Sequence, residues 1–172
     1  MTANIATRLL VVAGIAFALG VGNYALTRPA GSAYLLPAAL EFGPSSLALP
    51  AILGGSLPAF LHVYALALLT IVVLGVTPRR AAWAAAAWCA LDLFFEFGQW
   101  PPLAERLATS LPAWFGQVPI LDHLGAYFVQ GSFDPADLLA TLLGAVTAYV
   151  TVLLMLHGGC NHGHEHEKRR TD

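Results

Sequence analysis

Four runs of about twenty apolar residues constrain this chain more than any other feature, because that length crosses a bilayer as a helix. They are 9–27 (LLVVAGIAFALGVGNYALT), 57–76 (LPAFLHVYALALLTIVVLGV), 81–98 (AAWAAAAWCALDLFFEFG) and 137–157 (DLLATLLGAVTAYVTVLLMLH). Lipid offers no water to backbone N–H and C=O groups, so a span is either a helix or a closed barrel. Barrel strands alternate apolar and polar residues, and these runs do not. The expected fold is all-α: a polytopic membrane protein with a bundle of four transmembrane helices. Composition agrees. Charged residues make up 10% of the 172 residues and hydrophobic residues 58%, against about 25% charged in a soluble domain. We expect one transmembrane domain over 1–157 and a polar, His-rich tail over 158–172.

Arg8 ahead of the first run also fits a signal peptide. The run is long for an h-region, however, and Arg28 follows without a small-x-small cleavage site, so it is read as a span. The net charge of −2 and the lack of a basic patch give nucleic acid no footing. Cys89, in an apolar run, and Cys160, in the tail, make no disulfide framework.

Basic residues set orientation, because Lys and Arg accumulate in cytoplasmic loops. Four spans place the N-terminus, the turn at 77–80 and the C-terminus on one side. That side holds Arg8, Arg79, Arg80, Lys168, Arg169 and Arg170, and the other holds Arg28 and Arg106. The expectation is a multi-pass protein of the cytoplasmic (inner) membrane with both termini cytoplasmic. The segments 28–56 and 99–136 then face outward. In the second of these, PPLAERLATSLPAWFG has proline at a helix start and apolar residues at 103, 107 and 111. It predicts one or two helices lying on the membrane surface. The segment 31–42 is read in the same way. Trp100, Trp114, Phe115, Tyr127 and Phe128 suit the water–lipid boundary.

Ionisable residues inside spans carry the functional information, because a charge near a helix centre costs roughly 2.5–3.5 kcal/mol on insertion scales. Asp92, Glu96 and Gln99 are spaced i, i+4, i+7 on one face of the third span, and Cys89 continues the stripe. Asp134, Asp137, Thr141 and Gly144 define one face of the fourth. His62 is the single ionisable residue of the second. At about 1.5 Å of rise per residue, His62, Glu96 and Thr141 fall roughly 21, 22 and 24 Å above the cytoplasmic ends, with Asp137 near 30 Å. Three helices therefore bring polar groups to one level, which predicts a shared, outward-opening pocket of His62, Asp92, Glu96, Gln99, Asp134, Asp137 and Thr141. Structural roles stand beside this one. Asp134 in FDPAD suits a helix cap, His62 suits a bond to a neighbouring carbonyl or carboxylate, and Gln99 suits a solvated helix end.

At these residues the chain resembles the VanZ-like integral membrane proteins. The stretches LPAFLHVYALALLT (57–70), FEFGQ (95–99) and GSFDPADLLATLLGA (131–145) carry the resemblance, which covers about 57–148. His62 matches the family's histidine, Glu96 and Gln99 its E-x-x-Q pair, Asp134 and Asp137 its two acids, and Gly144 its glycine. Ser132 stands near where the family often has arginine, and Thr141 where it often has asparagine. The missing arginine leaves the site more acidic and argues against simple anion binding. The resemblance implies an envelope role, since the namesake is linked to low-level teicoplanin resistance.

The chemistry open to such a site is binding of a cation, or of the amine or hydroxyl groups of a lipid-linked or glycopeptide ligand. With His62 the carboxylates would also take a divalent metal. The leading expectation is a binding or accessory protein. One alternative is a metal-assisted membrane enzyme with Glu96 as general acid/base on a lipid-linked substrate. A second is a small oligomeric ion or proton transporter. Small residues at Gly14, Ala18 and Gly22, and at Ala140, Gly144 and Ala148, would allow close helix packing within the bundle or between copies or membrane partners. In the tail, His162, His164, His166 and Cys160 are typical of loose transition-metal binding, with a disordered polar tail as the plainer expectation.

Overall fold

The computed structural model describes residues 2–27, 55–119 and 121–171, with side chains described from Asn4 as far as Gly158. The segment 31–42 and the side chains of the His-rich tail lie outside the described residues. Every regular element within them is helical. Four long helices carry the spans: α1 (Thr2–Thr27), α2 (Leu57–Leu74), α3 (Pro78–Gly98) and α6 (Pro135–Thr171). Between α3 and α6 stand two short helices, α4 (Pro101–Ser110) and α5 (Leu124–Gln130). The stretches long and apolar enough to cross a membrane are Asn4–Leu26, Leu57–Leu74, Pro78–Gly98 and Pro135–Gly158. The fold is the expected all-α multi-pass bundle.

Helix ends follow local chemistry. The third span begins earlier than the apolar run, at Pro78. Proline is suited to a first helical position, where no N–H is required, and Thr77 Oγ1 accepts the Arg80 N–H at 3.3 Å. The turn before it passes through Gly75 at φ 94°, in the left-handed region that favours glycine. Of the two loop helices, α4 arises within the amphipathic stretch 101–116 and likewise starts on proline, whereas α5 lies beyond that stretch.

α2 is the hub, packing against α1, α3 and α6. Its Val63, Ala67, Leu68 and Ile71 meet Leu9 and Ala13 of α1, Ala81, Ala84 and Ala85 of α3, and Ala145, Ala148 and Val152 of α6. These positions are mostly small. In lipid no hydrophobic force drives helices together, so close van der Waals approach matters most. Gly144 shows the closest approach: a Cβ there would sit 2.5 Å from the Phe60 carbonyl oxygen of α2. The α6 stripe of Ala140, Gly144 and Ala148 is buried in the bundle. On α1, a Cβ at Gly14 or Gly22 would meet nothing within 4 Å among the described residues.

The outer surface is apolar. Leu19, Val73, Trp83, Val146 and Leu154 are all well exposed. In water such a surface would be an association liability; against acyl chains it is at no disadvantage. Two polar bonds cross the interior. Trp88 Nε1 donates to Thr70 Oγ1 at 2.8 Å, joining α3 to α2, and the Tyr64 and Thr151 hydroxyls lie 3.3 Å apart, joining α2 to α6.

Candidate functional site

The start of α2, the end of α3 and the start of α6 all lie at the same end of the bundle, here termed the loop end. Asp92, two turns before the end of α3, is the centre of the polar cluster there. Its Oδ2 accepts the Thr141 hydroxyl at 2.5 Å, and its Oδ1 lies 3.3 Å from His62 Nδ1. One carboxylate thus bridges the other two helices that face it. Thr141 is fully buried, so its hydroxyl needs the partner it has. Thr141 sits nearly two turns into α6, on the side that faces α3.

One turn further along α3, Glu96 performs a second task. Its Oε1 accepts the backbone N–H of Asp134 at 2.9 Å, tying the entry of α6 to the end of α3. Asp134 in turn caps α6, with Oδ1 accepting the Ala136 N–H at 2.8 Å; the capping role expected of FDPAD is realised. Asp137 is on the inner side of the first turn. Its Oδ1 is buried and has no hydrogen-bond partner among the described residues. A buried carboxylate oxygen without a donor is costly, so this is where the cluster stands incomplete.

Above the cluster, Gln99 is a residue the sequence placed in the pocket, whereas the aromatic roof was not legible as part of it. Gln99 is buried, not solvated, and its Nε2 donates to the Tyr127 hydroxyl at 2.7 Å. Tyr127 and Phe128 had been expected at the membrane boundary beside Trp100 and Trp114. Both tryptophans are exposed, but Phe128 is only 2% exposed. Its ring fills the space above Gly98, where a Cβ would collide with it, and stacks on Phe95 at 6.1 Å. Tyr127 meets Phe95 edge-on at 5.8 Å. These contacts hold the α4–α5 hairpin over the carboxylates. That α3 is the surface on which this aromatic pair packs is a tertiary fact.

Tyr127 feels the cluster electrically. Burial, then the Glu96 and Asp92 carboxylates and the Tyr24 hydroxyl, push its phenol up to about 12, against the downward pull of the Gln99 bond. The folded-state value lies above the usual phenol value of about 10. Its stabilising contribution is therefore complete below pH ~10 and is lost as pH climbs from there through 12. In a spectrophotometric titration, the tyrosinate absorbance removed by Tyr127→Phe is expected to centre near 12. A component centred near 10 would show that Tyr127 is not roofed over the carboxylates.

No family model, curated protein or solved structure matches this chain. The site is therefore read from its own groups. Among the described residues, no set of three His, Cys, Asp or Glu side chains is placed to hold a metal. The expected divalent-metal variant of the pocket thus lacks a donor set there: Asp92 is engaged by Thr141 and His62, and Glu96 by a backbone amide. The tail residues Cys160, His162, His164 and His166 lie outside the described side chains. Cys89 is buried in the main core, a turn below Asp92, and takes no part in the cluster's bonding.

What remains is a set of acceptors. Glu96 has a second oxygen, Asp137 has its buried one, and His62 has its second ring nitrogen. Among the described residues no lysine or arginine is ion-paired with them. Such a surface accepts hydrogen bonds from hydroxyl or amine groups and repels phosphates and carboxylates.

Proposed function

We propose that this chain is a VanZ-like protein of the cytoplasmic membrane that binds, at the loop end of its bundle, an envelope ligand bearing hydroxyl or amine groups. It acts by binding and not by turnover. The observation that carries this is the buried oxygen of Asp137, which has no hydrogen-bond partner among the described residues, beside a carboxylate bridge that draws three helices together. A site built only to hold helices would leave no acceptor empty. The family resemblance supports the reading, because His62, Glu96, Gln99, Asp134 and Asp137 are the residues that carry it. The charge asymmetry supports an outward-facing site: six of the eight basic residues lie at the opposite end of the bundle from the cluster. An outward site without a cation also suits a role in tolerance of glycopeptides, which carry amino sugars.

The test uses two amino-sugar probes, methyl glucosaminide and its octyl counterpart, on the full-length protein in detergent. Either probe is expected to slow carbodiimide labelling of Glu96 and Asp137. Glu96→Gln is expected to raise the concentration for half protection of Asp137 on the order of tenfold, the loss typical of one charge-assisted hydrogen bond. Unimpeded labelling at all concentrations of both probes would refute the proposal. Consumption of either probe, abolished by Glu96→Gln, would replace it with an enzyme.

A further inference from the structure

His62 is placed where a span can least tolerate it. Its side chain is 53% exposed, although it lies five residues past Leu57, about 8 Å along the helix. It occupies the face of α2 that also carries Leu66, Leu69 and Val73, at spacings of four, seven and eleven. Val73 is 83% exposed, while Leu69 is partly buried against the core, so this stripe runs along the border of the outer face. The neighbouring positions Leu61, Val63, Ala65 and Ala67 are buried against other helices. His62 thus stands at the outer edge of the seam between α2 and α3, with its ring 6.3 Å from that of Trp88. Polar side chains in spans normally turn to the bundle interior. This one leans inward only through Nδ1, toward Asp92. With Nδ1 facing Asp92, Nε2 is the ring nitrogen left for a further hydrogen bond.

A polar group at this depth on the outer face calls for a polar neighbour, and in a bilayer that neighbour is a headgroup. The cluster behind His62 is rich in acceptors and has no paired lysine or arginine among the described residues. It therefore suits a headgroup that donates hydrogen bonds and carries no net negative charge. From the exposure of His62 at this level we infer that the ligand is an amphiphile with a hydroxyl- or amine-bearing headgroup. It enters sideways from the bilayer through the α2–α3 seam, and His62 is its first contact. This deepens the function proposed above and rests on it.

The experiment exploits Trp88, beside His62. The other tryptophans are replaced (Trp83→Phe, Trp100→Phe, Trp114→Phe) in the full-length protein, which is reconstituted in phosphatidylcholine vesicles. Trp88 fluorescence is then quenched with lipids brominated in their acyl chains. One carries a glucosaminyl headgroup; the other is phosphatidylcholine, whose headgroup has no N–H or O–H donor. Headgroup hydrogen bonds are expected to enrich the amino-sugar lipid on the order of tenfold at the seam. Half-maximal quenching should then need about a tenth of the mole fraction required of brominated phosphatidylcholine. His62→Leu should equalise the two lipids. The main comparison is made with His62 in place, so it does not depend on how that variant folds. Equal quenching by both lipids, with methyl glucosaminide still protecting Asp137 from carbodiimide, would overturn the lateral route and leave a site filled from water. Equal quenching without protection by either amino-sugar probe would overturn the binding function as well.

Discussion

Gly144→Ala is expected to destabilise the bundle by about 1–3 kcal/mol, the usual penalty of overpacking, and Gly144→Leu to leave no folded protein. Two effects oppose each other. Alanine improves helix propensity over glycine by about 1 kcal/mol. Against this, the new methyl would lie 2.5 Å from the Phe60 carbonyl oxygen. That oxygen belongs to the backbone of a helix and cannot rotate aside, so α2 and α6 must separate. Separation weakens the Tyr64–Thr151 contact and the reach of Thr141 to Asp92. The clash wins. Gly14→Ala is the control, because nothing among the described residues lies within 4 Å of a Cβ there; it is expected to be neutral or slightly stabilising. Thermal unfolding of the detergent-solubilised variants checks both. Equal melting temperatures for Gly144→Ala and the wild type would mean that α2 and α6 do not meet at this glycine.

Asp92→Ala is the second large effect. It removes the acceptor of a fully buried threonine hydroxyl and the carboxylate beside His62 at one stroke. Stranding a buried donor costs about 1–3 kcal/mol, and we expect the upper part of that range because two partners are lost. Asp92→Asn keeps an acceptor for Thr141 and should lose less than half as much. A double-mutant cycle with Thr141→Val isolates the pair. Hydrogen bonds between membrane helices average about 0.6 kcal/mol, with a maximum near 1.7. The 2.5 Å bond from Thr141 to a carboxylate belongs near that maximum. Additive losses in the cycle would remove Asp92 as the link among the three helices.

The polar residues show how far the sequence reaches. The i, i+4, i+7 stripe of Asp92, Glu96 and Gln99 correctly marks one face of α3, and rise per residue brings His62 and Thr141 to a common level. Height alone, however, left open which carboxylate meets His62; the structure pairs it with Asp92 and spends Glu96 on the backbone of Asp134. A carboxylate on a helix end reaches over the next turn, and one rise of 1.5 Å per residue takes no account of side-chain direction. Tyr127 was hidden for a different reason. An aromatic near a span end suits the interface equally well whether its ring faces lipid or protein.

The sequence by itself determined that the chain is an all-α bundle with four helices long and apolar enough to span a membrane, and the position of each ionisable group along its helix, because apolar length and axial rise are local properties of a helix. Rotation about each helix axis was left to the tertiary structure. Leu, Val and Ala surround these spans on nearly all sides, and lipid is as apolar as the bundle interior, so no periodicity tells a buried face from an outer one. Only the close fit of small residues, with Gly144 against Phe60, turns Thr141 toward Asp92. The same packing turns Gly14 and Ala18 of α1 away and leaves His62 at the seam.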